Sequence, residues 1–348
     1  MEFNRREALL TALGTAALSL FPGMGMAQAR KLVFATFTGS WEEAHRDVLV
    51  PYFRKTNGNA EIALDPMLSV DQIAKVTAAR SNPPIDVMLH DPGPALVAIG
   101  QDLVEPFPTA QSKHYADLLP EAQDPFGPAI FFQVVGITYN PEKIKTPPKS
   151  WNDLWKPEYK GRVGITNLNS TLGTGFMVEL AKMKGGGEAN IEPAFAALKA
   201  LQPNLAAVAA NPGALATLFQ QGQIDIGPGN FNAIQLLRAR GVPVEFVKPE
   251  TGAIAFKTSI HIVKNSPNAK LAAALIDAAM SPEVQAVLMK SPYLIVPTNK
   301  KVKMEGEISK VLAKDQAELQ KTFIFQDWKK INENRSAWID RFNREIKV

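Results

Sequence analysis

Short β-branched and aromatic runs alternate along this chain with stretches of helical period. Lys31 to Phe37 (KLVFATF) has strand composition and ends in the polar turn Thr38-Gly39-Ser40. Apolar positions then recur at Trp41, Ala44, Val48 and Tyr52, with Phe53 completing one helical face. Pro51 kinks or restarts that helix, and Asn57-Gly58 stops it. A strand follows over Glu61 to Leu64, and Ser69 with Gln72 three residues later predicts a capping-box start for a helix through Arg80. Ile85 to Leu89 is a buried strand running straight into His90-Asp91-Pro92-Gly93. Strand and helix alternate, which predicts parallel β-α-β layering with ligand-facing loops at the carboxyl ends of strands.

The pattern resumes beyond a long apolar run, Ala129 to Thr138. A strand at Arg162 to Thr166 meets the polar, glycine-containing stretch Asn167 to Gly175, and Phe176 to Met183 continues as a helix. That stretch is either a helix start suited to a carboxylate or phosphate oxygen, or an ordinary N-cap with flexible glycines. Pro193 to Leu201 and Pro212 to Gln221 are helices with proline at the first position, the second capped by Asn211 and closed at Gly222. Ile224 to Gly227 is a short strand, and Asn230-Phe231-Asn232 starts a helix to Arg240. Val244 to Lys248 and Gly252 to Lys264 are strands, the second long enough to return to the first half of the chain. Helices follow at Leu271 to Met280 and after Ser281-Pro282-Glu283. In the tail, Trp328, Ile331, Trp338, Phe342 and Ile346 share one face, as expected of a clamp on the outside of the fold.

At 348 residues and 46% hydrophobic content the chain has apolar material for two ordinary domains. With 38 basic against 34 acidic residues and no block of five like charges, no nucleic-acid or membrane patch is expected. The first residues read as an export signal: Arg5-Arg6 in a short basic region, an apolar stretch from Ala8 to Phe21, and the cleavage site Ala27-Gln28-Ala29. The apolar stretch is too short to span a membrane and ends in Pro22-Gly23. There is no cysteine, hence no lipid attachment, disulfide or thiolate metal site. The product from about Arg30 is expected to be free in the periplasm.

One stretch carries a family resemblance: Gly136 to Thr166, GITYNPEKIKTPPKSWNDLWKPEYKGRVGIT. Its GxTYN, SW-x-DLW and PEYKG elements resemble the inter-lobe segment of periplasmic solute-binding proteins that feed ABC importers, in the branch with polyamine-binding and ferric-ion-binding members. The paired arginines followed by leucines resemble a twin-arginine signal. Gln223 to Gly227, Asn265 to Asn268, Ser281 to Glu283 and Pro292 to Asn299 also resemble that family. Trp151, Leu154, Trp155 and Tyr159 themselves read as a plug of the second lobe against its linker. The resemblance implies an α/β fold of type II: two Rossmann-like lobes joined by a two-strand hinge. Lobe 1 is residues 30–138 plus 261–348, lobe 2 is residues 139–260, and residues 1–29 are the signal. It further implies a monomeric receptor that closes on a small solute and docks on permease subunits in the inner membrane, with no cofactor.

Enzyme chemistry finds little support in the residues. The histidines have no metal-ligand spacing, and no nucleophile motif or phosphate loop is present. His90-Asp91 sits at a strand end and offers the one alternative, a cofactor-independent hydrolase on the same scaffold, although a turn-initiating Asp-Pro explains it as well. Polyamine-binding members hold their cations with acidic residues after the second-lobe strand and on the returning strand; here those places read Asn167-Leu168-Asn169 and Phe256-Lys257-Thr258-Ser259. Ferric-ion members use two adjacent tyrosines, and the five tyrosines here are all isolated. The expected cleft lining is therefore neutral or basic: Thr36, Thr38, Trp41, Ser69, His90, Asn169, Ser170, Thr171, Asn230, Asn232, Lys257, Thr258 and Tyr293. It suits a small organic carboxylate or phosphonate.

Overall fold

The computed structural model describes residues 31–58 and 60–348. The export signal, its paired arginines and its cleavage site lie outside the described residues. The first block of the fold has strands β1 (Leu32–Thr36), β2 (Ile62–Pro66) and β3 (Val87–His90), with a short β4 (Val104–Glu105) beyond them. The long β5 (Ala129–Tyr139) leads to a second block of β6 (Val163–Thr166), β7 (Leu205–Ala209) and β8 (Ile226–Asn230). After β9 (Glu245–Val247), the long β10 (Ala253–Val263) returns, and β11 (Val296–Pro297) and β12 (Phe323–Phe325) add short edges.

Hydrogen bonds run in the order β2-β1-β3-β10-β5-β8-β6-β7. Within each block the strands are parallel. Strands β5 and β10 are antiparallel to each other and to the blocks they join. Every residue of β5 is buried, so its sequence is a continuous apolar run instead of an alternating one. It pairs with β10 over Ala129 to Val135 and with β8 over Val135 to Tyr139. The two crossings expected from the sequence are these strands, and the ladder runs continuously through them.

The helices are α1 (Ser40–Ala44), α2 (Val50–Thr56), α3 (Ser69–Ala78), α4 (Pro92–Gly100), α5 (Thr171–Met183), α6 (Glu192–Leu201), α7 (Pro212–Gln220), α8 (Phe231–Ala239), α9 (Ala269–Met280), α10 (Pro282–Leu288), α11 (Gly306–Val311), α12 (Gln316–Thr322) and α13 (Trp328–Glu345). A π-helical turn over His45–Leu49 joins α1 to α2 just ahead of Pro51, which restarts the helix in its first turn. Asn211 caps α7 as expected, its side chain accepting from the Ala214 amide. Among the described residues no single helix is long and apolar enough to cross a membrane.

Three local expectations differ. Ser69 does not cap α3; Leu68 holds that position, and the Gln72 side chain instead donates to the Met67 carbonyl and accepts from the Leu89 amide. The pairing of α3 to β3 won over local capping. Strand β7 was not read at all, because alanine-rich LAAVA carries no β signal, and its pairing with β6 overrides propensity. Strand β8 runs two or three residues later than read, through Gly227-Pro228-Gly229. A Cβ at Gly227 would lie 2.1 Å from the Gly164 carbonyl oxygen, so glycine there is what lets β8 approach β6.

The tail is the expected clamp, but it leans on both blocks. Trp338, Phe342 and Ile346 share a buried cluster with Phe195, Leu198 and Leu201 of α6. Arg341 lies over the Phe195 ring at 3.9 Å and pairs with Glu192. On the other side, the Asn332 amide donates to the Gly93 carbonyl in α4, 2.9 Å away.

Candidate functional site

Parallel strands within a block send their carboxyl ends to one side. Strands β1, β3, β6 and β8 each reach a helix start within five residues: α1, α4, α5 and α8. Contacts then join the two blocks at those starts. The Thr171 hydroxyl donates to Asp91 Oδ2 at 2.7 Å. Asn232 Nδ2 lies 3.5 Å from Ser40 Oγ, while at the far end of α8 its C-cap Arg240 pairs with Glu43 at 3.8 Å. The helix starts of one block therefore face those of the other across a cleft.

Asp91 is the centre of this junction. Gln133 Nε2, from β5, donates to Asp91 Oδ1 at 2.7 Å and to Thr258 Oγ1 of β10 at 2.9 Å. Asp91 occupies the N-cap position of α4, but its side chain makes no cap bond and is turned across the cleft instead. Ser69 Oγ accepts from the Asp91 amide at 3.4 Å, so the first turn of α3 braces the loop. Burial pushes the Asp91 carboxyl above its ordinary value, against the hydrogen bonds from Thr171 and Gln133 and the charge of Arg335, which pull it down.

Arg335 reaches the same place from α13. It donates to Thr174 Oγ1 (3.1 Å) and to the carbonyls of Leu168 (3.2 Å) and Asn169 (2.8 Å), which fixes the loop ahead of α5. Ser170 caps α5, accepting from the Gly173 amide at 3.0 Å while donating to Thr166 Oγ1 at 2.8 Å. The amides of Thr171 and Leu172, the first two helical residues, have no carbonyl of their own helix to bond.

Residues 82–334 match the family described as bacterial extracellular solute-binding protein. This chain belongs to that family. A spermidine/putrescine-binding periplasmic protein of Escherichia coli is 34% identical over 139 residues, 39% of this chain and 38% of that protein. A Salmonella typhimurium protein, provisionally named for binding 2-aminoethylphosphonate in the periplasm, is 28% identical over 222 residues, 62% of each chain. Among solved structures, an ABC transporter protein from Clostridium perfringens superposes with a TM-score of 0.74 at 27% identity, over 91% of this chain and 100% of the other. The solute-binding protein thus has the type II fold, two α/β lobes joined by two strands, and its family serves ABC importers with permease partners.

The lining residues read from the sequence divide by position. Ser69, Thr171 and Thr258 come together around Asp91. Trp41 is buried and stacks on Phe131 at 4.2 Å and 9°. Phe131 and Gln133 are two residues apart on β5 and so share a face. Thr38 and Asn169 are exposed on the adjoining loops, and Thr36 is buried against His45. Asn230 is buried beside Val135, its Oδ1 without a partner. Tyr293 stands apart, its hydroxyl donating to Asp47 at 3.1 Å.

Lys257 and His90 do not fit the site as read. Thr258 pairs with Phe131 and faces Gln133, whereas Lys257 pairs with Phe132 and stands on the opposite face of the ladder. Strand alternation cannot turn both into the cleft. His90 is fully buried 5.1 Å from the His261 ring, with neither ring nitrogen partnered, and burial drives it well below its ordinary value. It makes no pair with Asp91, so the hydrolase alternative loses its base. Asp91 as the centre, Gln133 and Arg335 were not read as site residues. Gln133 did carry a signal, as the one amide in the apolar run AIFFQVV; Arg335 carried none.

Proposed function

We propose that the protein is exported to the periplasm, captures a small anion, an organic carboxylate or a phosphonate, and delivers it unchanged to the permease as a monomer. Lobe 1 in this reading is residues 30–138 plus 261–348 and lobe 2 residues 139–260, with β5 and β10 as the hinge and α13 strapped across both. The observation that carries the anion reading is that the starts of α5 and α8 meet those of α4 and α1 across the two blocks, since the free amides and dipoles of α5 and α8 favour negative charge there. The relative named for an aminophosphonate supports the same class. A polyamine fits less well: among the described residues Asp91 is the one carboxylate in the hydrogen-bonded cluster with Gln133, Thr171 and Thr258, and a dication there would keep one charge unpaired.

Thermal unfolding in the presence of candidate solutes tests this. A solute bound only by the folded state adds about 2.7 kcal/mol at ~100 times its dissociation constant. Carboxylates and phosphonates should include a member that raises Tm in this way, with little effect from putrescine or spermidine. A polyamine that raised Tm as strongly as the best anion would overturn the assignment.

A further inference from the structure

The anion reading leaves Asp91 over. Several other well-covered carboxylates have charged partners: Asp225 pairs with Arg162 at 2.6 Å, Asp153 with Lys156 at 2.9 Å and Glu188 with Lys182 at 2.7 Å. Glu179, buried within α5 away from the start of that helix, has an unpartnered Oε2 among the described residues. Among the described residues Asp86 has no ion pair, but accepts from the Val33 amide, the Ser266 hydroxyl and the Asn268 side-chain amide. Asp91 takes one neutral donor on each oxygen, and among the described residues it has no lysine or arginine at ion-pair distance. Arg335 is near enough for its charge to act on Asp91, yet its donors are directed to Thr174, Leu168 and Asn169. A carboxylate accepts about four hydrogen bonds, so about two positions stay open.

A second observation points to the same ligand group. Asn230 is more than nine-tenths buried, and its Oδ1 has no partner among the described residues. It pairs with Val135, two residues along the same face of β5 from Gln133. Phe131, two residues from Gln133 on the other side, carries the stacked Trp41 ring. The face thus offers a carboxylate, an unfilled carboxamide oxygen and an indole, the acceptors a protonated amine uses.

We propose that Asp91, with Asn230 and Trp41 beside it, binds a protonated amine, so that the captured solute is a zwitterion, an amino-carboxylate or amino-phosphonate. Its ammonium lies on Asp91 and its acid group at the starts of α5 and α8. This rests on the anion reading of the same cleft. One carboxylate matches one ammonium, which separates this class from polyamines.

Calorimetric titration of the purified protein with matched pairs tests it: 2-aminoethylphosphonate against ethylphosphonate, β-alanine against propionate, and 4-aminobutyrate against butyrate. In at least one pair the amine should tighten binding by ~10- to 100-fold, the worth of one or two charge-assisted hydrogen bonds. Asp91→Asn should reduce that ratio to near one. The ratio within a pair is the readout, so wild-type protein carries the test even where the variant folds poorly. Equal affinity within every pair, or an amine advantage that survives Asp91→Asn, overturns the ammonium site and leaves the anion reading standing. Binding of ethylammonium with no binding of any acid would instead sink the anion reading and keep the amine at Asp91. No binding by any of these probes counts against both.

Discussion

Gly173→Val is expected to abolish solute capture, with affinity falling at least ~100-fold, and to cost about 1–3 kcal/mol of stability. A Cβ at position 173 would lie 2.1 Å from the Asn167 carbonyl oxygen and 2.8 Å from that of Thr166. Both are backbone atoms at the end of β6, so the first turn of α5 must move as a body. That turn carries Ser170, whose cap bond goes to the Gly173 amide, and Thr171, whose hydroxyl reaches Asp91. Displacing it disrupts the cap, the Arg335 contacts to the loop and the closing contact together. Calorimetry with the best solute from the thermal screen reads the affinity, and denaturant unfolding reads the stability. Retained affinity would mean that the start of α5 takes no part in binding.

Acid is expected to unfold the protein early. His45, His90 and His261 are all buried; burial lowers His45 to about 3 and His261 to about 4, and drives His90 well down. Unfolded, each would titrate near ~6.5. Above that pH both states are neutral and the histidines leave stability unchanged. Below it the unfolded chain takes up protons that the folded chain refuses, so stability falls as pH falls, until the folded values near 4 and 3 are reached. For His45 and His261 the loss is about 1.4 kcal/mol per pH unit, or roughly 2 kcal/mol each by pH 5, and His90 acts in the same direction. Against a stability of about 5–15 kcal/mol for an ordinary domain this is a large fraction. Asp91 and Glu179, raised by burial, act in the opposite sense at lower pH. Tm measured from pH 8 to 4 should stay level above about 7 and drop steeply below 6, with a smaller drop for His45→Gln. A level Tm down to pH 5 would contradict the buried neutral histidines.

The fold was legible where periodicity and punctuation agree. The long runs at 129–138 and 252–264 are β5 and β10, and the proline and asparagine signals mark α7 correctly. Strand β7 was hidden because alanines carry no strand preference, and β8 because Gly-Pro-Gly reads as a turn until Gly164 of β6 is seen against Gly227. The site was legible only as loops. Which side chain of Lys257 and Thr258 enters the cleft depends on the register with β5, a long-range property. The stretch holding Ser170 and Gly173 left an anion site and an ordinary N-cap both open, because a cap and a packing glycine have the same composition as an anion nest. Asp91 was passed over as a turn former, since its partners Gln133 and Thr171 lie 42 and 80 residues away.

The cleft is expected to retain a small anionic solute and to return it unaltered. Mass spectrometry of small molecules released on denaturing the protein purified from the periplasm tests it most directly. One acid, near one equivalent per chain and unchanged after prolonged incubation with fresh protein, is the predicted result. A polyamine at one equivalent, or a solute that the protein converts into a product, would contradict it.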